Sequence, residues 1–312
     1  MTDAEALLSC ARRPLVLGIG GGGDVVGALA TAEAARIYHG ADSLVGGVTW
    51  ERRVVDPQPG PRSTAEIENA RPIADAVLLA GPETAVRASG VRFCETQMAR
   101  FLGRETVLVD VTCAPRTIAS GLEAASAELG VDLLVFVDVG GDALAHGGEE
   151  GLASPLCDAV MLAAASLVSE PPTLGGVFGA GCDGELRPAE VMERIAEVAA
   201  AGGLAGMRGL TAPVAERLEA AVTVVPTEAS AQALRCFQGE RGIADIRAGR
   251  RTVELSPLGA ATIYFDVDAA MASAAGLARA VRDTSGLEEA NEALRALGLR
   301  TELDYERALA DR

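Results

Sequence analysis

Six short apolar runs, near 15–19, 44–49, 76–79, 106–110, 133–138 and 176–178, alternate with segments of helical spacing near 24–38, 94–102, 115–129 and 155–168. The runs, of which "LLVFV" is typical, are apolar throughout and do not alternate with polar residues. Continuous apolarity is the pattern of strands covered on both faces. Strands interleaved with helices predict parallel βαβ units, and right-handed crossovers wind such units on both sides of one sheet. The expected fold is therefore α/β: a Rossmann-like, doubly wound, mostly parallel sheet with helices on both faces and a C-terminal α+β extension. Residues 1–185 are expected to form the ligand-binding core, and residues 186–312 to pack on it as part of one integrated domain. "SEPPTLGG", 169–176, is the clearest punctuation before that extension. Beyond it the spacing predicts helices near 189–200, after Thr211, from "TEASAQALRC" with Thr227 as its N-cap, near 269–282 and near 287–297. "RRTVELSPLGAATIYFD" predicts two strands joined as a hairpin at 256–259.

In such a sheet, ligands bind outside the carboxyl ends of the strands. The polar residues collect there. The first run ends in "GIGGGGD", placing Gly20, Gly21, Gly22 and Gly23 before Asp24 at the head of a helix. The second ends in "TWERRVVDPQPGPRS", with Glu51, Arg52, Arg53, Asp56 and Arg62, and the fourth in "DVTCAPR", with Asp110, Thr112 and Cys113. The fifth ends in "VDVGGDALAHGGEEGLASP", with Asp138, Asp142, His146, Glu149 and Glu150, and the sixth in "GAGCDGEL", with Asp183 and Glu185. The opposite connections, such as "AELGVD", are short and plain. This asymmetry predicts one site at the strand-end edge.

Glycine amides at a helix N-terminus hold phosphate, so Gly20–Gly23 are the expected phosphate loop. Gly18, Gly20 and Gly23 also fit GxGxxG, and Glu51 stands where an acid would meet a ribose hydroxyl. Arg52 and Arg62 offer guanidinium forks to the same anion, and Thr112 a hydroxyl. Asp138 and Asp142, separated by two glycines, can gather hard oxygen ligands for Mg2+ or activate water. His146 is a candidate general base and Glu149 a candidate acid or base. "SPLCDA" is ordinary helix capping, a serine N-cap followed by proline at N1, with Asp158 on the first turn free to face the ligand. Glu228, Arg247 and Arg250 are the groups the extension can bring over the site.

The formal charge of −17 argues against a nucleic-acid surface, and no apolar run reaches the length of a membrane span. Six cysteines stand far apart with no CxxC pair. Together with the lack of a secretory signal, they lead us to expect reduced thiols and a cytoplasmic protein.

The ordered segments "GIGGGGDVVGALATA", "GGVTWERRVVDPQPGPRS", "VDVGGDALAHGGEEGLASPLCDA", "DGEL", "TEAS" and "IRAGRR" resemble the domain of unknown function family 1152, over about Pro14 to Asp266. The resemblance implies a cytoplasmic module in one piece and supplies no substrate or catalytic assignment. Mechanism is left to the residues. They favour an enzyme that binds a nucleotide, nucleoside or other phosphorylated small metabolite, with or without Mg2+, for hydrolysis or group transfer. Three alternatives stay open. A NAD(P)- or flavin-dependent oxidoreductase would use GxGxxG and Glu51. An ATP-pyrophosphatase-like adenylating enzyme would read "GGGGDV" as SGGxDS, with Gly20 and Val25 in place of both serines. A noncatalytic metabolite sensor would bind without turnover. The residues leave open whether the protein is a homo-oligomer.

Overall fold

The computed structural model describes residues 2–311. Nine strands form one sheet: β1 (Pro14–Gly18), β2 (Leu44–Val48), β3 (Ile67–Ala74), β4 (Val77–Val86), β5 (Thr106–Val109), β6 (Leu133–Val139), β7 (Thr173–Phe178), β8 (Leu204–Gly209) and β11 (Ala261–Phe265). The remaining two, β9 (Gly242–Ile246) and β10 (Arg251–Leu255), make a separate antiparallel ribbon. The sheet order is β3-β4-β5-β2-β1-β6-β7-β11-β8. Its middle, β5-β2-β1-β6-β7, is parallel throughout. In chain order these five run third, second, first, fourth, fifth, which is Rossmann order with its switch point between β1 and β6. Antiparallel strands extend the sheet on both sides.

Alternate residues of the central strands feed opposite cores. Leu15, Leu17, Leu134 and Phe136 pack under α4 (Pro115–Leu129), α5 (Pro155–Ala165), α10 (Gly276–Val281) and α11 (Leu287–Ala296). Val16, Leu133, Val135 and Val137 face α2 (Asp24–His39), α3 (Cys94–Leu102), α7 (Ala212–Val222) and α8 (Ala229–Phe237). The short α1 (Ala4–Cys10) joins the second layer, while α6 (Pro188–Ala200), α9 (Val267–Ala272) and α12 (Glu302–Ala310) join the first. No described helix is long and apolar enough to cross a membrane.

Gly27 lets α2 lie directly on β6, since a Cβ there would stand 2.2 Å from Val139 Cγ2. Gly27→Ala is therefore expected to destabilise the fold by about 1–3 kcal/mol through overpacking, although alanine is the better helix former. A lowered urea midpoint checks this, and an unchanged or raised one would contradict the packing.

Three local expectations are corrected. The run at 76–79 belongs to a ten-residue antiparallel strand, β4, hairpinned to β3. The strands of "RRTVELSPLGAATIYFD" do not pair with each other: β10 pairs β9, whereas β11 enters the main sheet between β7 and β8. The reason is burial, because β11 is covered along its whole length and β10 only at alternate positions. The helix expected over 269–282 is two helices, α9 and α10, broken at Ser273 where the backbone leaves helical values.

Candidate functional site

The glycine bend follows β1 and turns tightly against its neighbours. Gly21 and Gly22 take left-handed backbones, φ +84° and +52°, so that the Gly22 amide donates to the Trp50 carbonyl at 2.8 Å. The Gly20 amide donates to Asp24 Oδ2 at 3.0 Å. Two of the four amides expected to cradle phosphate are thus engaged by the protein itself. Gly20 is also pressed between two acids: a Cβ there would lie 2.7 Å from Asp24 Oδ2 and 3.1 Å from Asp158 Oδ2.

Asp24, the first residue of α2, ties the bend to the next loop, its Oδ2 also accepting from the Val139 amide at 3.3 Å. Asp138, the penultimate residue of β6, accepts from the Ala143 amide at 3.0 Å. Asp158 projects from the first turn of α5, whose start is set by Ser154 and Pro155. One carboxylate oxygen from each of Asp24, Asp138 and Asp158 falls within 4.8 Å of the others. Asp158 is 2% exposed, and its Oδ1 has no hydrogen-bond partner. A second acidic group, Asp142, Asp183 and Glu185, adjoins the first. There Glu185 is already occupied, accepting from the Ala153 and Ser154 amides, the Ser154 hydroxyl and Arg247.

Burial dominates the electrostatics. It raises Asp24 and Asp183 to about 7 and lifts Asp138, Asp142 and Asp158 well above the carboxylate range, with neighbouring carboxylates pushing the last three further. Two unit charges 4.8 Å apart repel by about 3.5 kcal/mol at an effective dielectric constant of ~20. The set therefore holds protons or a cation.

Arginines approach from two directions. Arg52, after β2, packs against Gly22 and reaches toward Glu228, with Nη1 3.8 Å from its Oε2. Arg247, in the turn of the β9–β10 ribbon, meets Glu185 at 3.3 Å while its amide donates to Glu228 Oε2 at 3.0 Å. Arg250 closes that turn, its Nε donating to the Arg247 carbonyl at 2.9 Å. Burial lowers the pKa of Arg52, and the like charge of Arg247 lowers it further. Thr227, at the head of α8, sits where a Gly23 Cβ would be, 2.4 Å from its own Cβ. The C-terminal part thus roofs the bend.

Several expected members lie outside this constellation. Glu51 accepts from the Cys94 amide at 2.5 Å and takes the Cys94 thiol at 3.5 Å, so it caps α3. Burial raises it to about 7. Arg62 is 2% exposed and committed to its own loop, with Nε 2.7 Å from Asp56 Oδ2. It supplies no countercharge to the site. Thr112 donates to Asp110 Oδ1 through both its amide and its hydroxyl, closing the loop after β5. His146 pairs with Glu197 at 2.9 Å and touches Arg194, both on α6. Glu149 accepts from the amides of His146 and Gly147 at 2.9 and 2.8 Å. Both residues belong to the outer rim of the loop, apart from the acid groups. Of the expected catalytic set, Asp138 and Asp142 alone lie in the cluster.

One contributor had no signal in the sequence. Glu302, on α12, accepts from the amides of Leu156 and Cys157 at the head of α5, and burial raises it to about 8. Two open surface clefts, of about 630 and 350 Å3, border Thr117 and Gly286 respectively and do not touch the bend. Their ionisable side chains are exposed or half-buried, so the buried acidic cluster is the better candidate.

Fold and acid cluster together define a Rossmann-ordered α/β protein with carboxylates gathered at its switch point. The chain belongs to the family described as protein of unknown function (DUF1152), whose model matches residues 15–310. No curated protein and no solved structure gives a significant match to it.

Proposed function

We propose that the acid cluster at the strand ends binds a phosphorylated small metabolite, of nucleotide or nucleoside-phosphate type, together with a divalent cation such as Mg2+, and catalyses its hydrolysis or group transfer. The observation that carries this reading is Asp158 Oδ1, a buried carboxylate oxygen without a partner, within a triad of carboxylates from three separate elements. Oxygen donors of this kind suit a hard cation. Asp24, Asp138 and Asp158 would hold it, and it would supply charge neutralisation at a phosphoryl oxygen.

Asp24 decides between a bare anion and a cation complex. Its carboxylate stands at the head of α2 and uses the Gly20 amide, so a phosphate alone would meet a negative charge there. An anion screened by a cation would not. Arg52 and Arg247, which repel each other across the roof, are relieved by a shared anion between them. Burial and the neighbouring carboxylates hold the Asp142 pKa up. With a cation neutralising those neighbours, Asp142 would ionise and would accept a proton from an attacking water or hydroxyl. The dinucleotide reading gains nothing from Glu51, which is spent on α3.

A thermal-shift titration with Mn2+ and Mg2+, followed by inorganic phosphate and nucleotides, tests the reading. Millimolar cation is expected to raise Tm, and nucleotide to raise it further only when the cation is present. Arg247→Ala should abolish the second step and retain the first. A chain whose Tm ignores both cations at pH 7–8 would refute the proposal.

A further inference from the structure

Cys182 and Cys236 come from distant parts of the chain and approach one another beside Asp183 of the acid cluster. Cys182 closes the turn after β7, its amide donating to the Gly179 carbonyl at 2.8 Å, and it precedes Asp183. Cys236 lies in the last turn of α8, the helix whose head covers Gly23. Between them passes Gly259, where a Cβ would stand 2.7 Å from the Cys236 sulfur and 2.8 Å from the Cys182 sulfur. A glycine at this point leaves room for both sulfurs, each within 2.8 Å of the one position a side chain would fill. Both thiols are free and buried, so that only an oxidant as small as a peroxide reaches them.

We infer that Cys182 and Cys236 form a redox-active dithiol, a modification site at which a peroxide converts the pair to a disulfide. The contact with Cys182 also pulls the Cys236 thiol down to about 7, which favours it as the attacking sulfur. The Cys236 thiolate attacks one peroxide oxygen, the O–O bond breaks, and the departing hydroxide takes a proton to become water. The Cys182 sulfur then attacks the sulfenic sulfur, its proton leaving with the expelled hydroxyl as a second water. Two electrons pass from the sulfurs to the peroxide, and one S–S bond forms. The product would tie α8 to the loop that carries Asp183 and Glu185, holding the roof down. This inference does not depend on the nature of the ligand.

The test treats the reduced, full-length protein with hydrogen peroxide and maps its thiols by mass spectrometry, with the exposed Cys10 as an internal control. A peptide linked through Cys182 and Cys236 should replace both free-thiol peptides, and Tm should rise by several degrees and fall back with dithiothreitol. Cys182→Ser and Cys236→Ser should each lose the link and the Tm rise while keeping the response to Mn2+. Oxidation of Cys10 with both partners still free would overturn the inference, as would a linked chain that melts lower than the reduced one.

Discussion

Asp158→Asn is expected to weaken Mn2+ or Mg2+ binding by at least about 100-fold, since loss of even an outer partner of a metal site costs 10–100-fold. The same change should leave the cation-free protein as stable as the parent, or more stable. The two effects share one cause. In the absence of a cation, Asp158 brings a third carboxylate into a buried group whose members lie within 4.8 Å, and its Oδ1 receives no hydrogen bond in return. Asparagine keeps the volume and removes a group that must either stay charged among like charges or take up a proton, relieving a cost on the order of 1–3 kcal/mol. A purely structural aspartate would behave in the opposite way, losing stability on substitution. Calorimetric titration with Mn2+, paired with urea unfolding in EDTA, separates the cases. A variant that binds cation like the parent, or unfolds far more easily, would remove Asp158 from the proposed site.

Stability without cation should fall as pH rises from about 4 through 7 and on into the alkaline range, where the more strongly raised carboxyls titrate. Asp24 and Asp183 titrate near 3.8 in an unfolded chain and near 7 in the folded one, because burial disfavours their charged forms. Across that window the folded protein holds protons that the unfolded chain has released, so stability declines as pH rises. Below it both states are protonated, and the penalty is absent. Above it both are ionised, and the penalty from these two groups is complete, at about 1.4 kcal/mol per pKa unit for an isolated group. Glu51, raised to about 7, adds to the slope, and Glu302, raised to about 8, extends it. Saturating Mg2+ should flatten the curve, because a cation replaces the missing protons. Urea midpoints from pH 4.5 to 8.5, in EDTA and in Mg2+, provide the measurement. Stability that climbs through this range in EDTA would show that the carboxylates are not held in repulsion.

The parallel half of the fold was legible because two-sided burial writes itself as unbroken apolar runs. β1, β2, β5 and β6 lie where those runs lie, and α3 and α4 begin and end as expected, each closed by a left-handed glycine. β3 escaped notice because it is an edge strand with mixed exposure and a proline at 72, and its turn bends at Ala76 with φ +59°, where glycine would be looked for. β8 was hidden by Gly202, Gly203, Gly206 and Gly209, which read as loop. At the site, strand ends identified which acids gather but not which way loop side chains turn. Arg62, Thr112 and Glu149 turn back to satisfy nearby backbone or loop groups, a local choice that carries no mark in spacing. Asp158 was visible as a residue on a first helical turn, yet its orphaned oxygen needed coordinates. Glu302 was out of reach altogether, because only tertiary packing brings α12 to the head of α5.

The cover over the glycine bend, built from Thr227 and Arg247, and the cap that Glu302 places on α5 have a consequence for how the protein matures. Asp24, Asp138 and Asp158 emerge early in synthesis, whereas the groups that enclose them come tens of residues later. A nascent chain thus keeps these acids hydrated and ionised while the parallel strands assemble, and dehydration is deferred until the last segments dock. Under the proposed function, cation capture would coincide with the closing stage of folding.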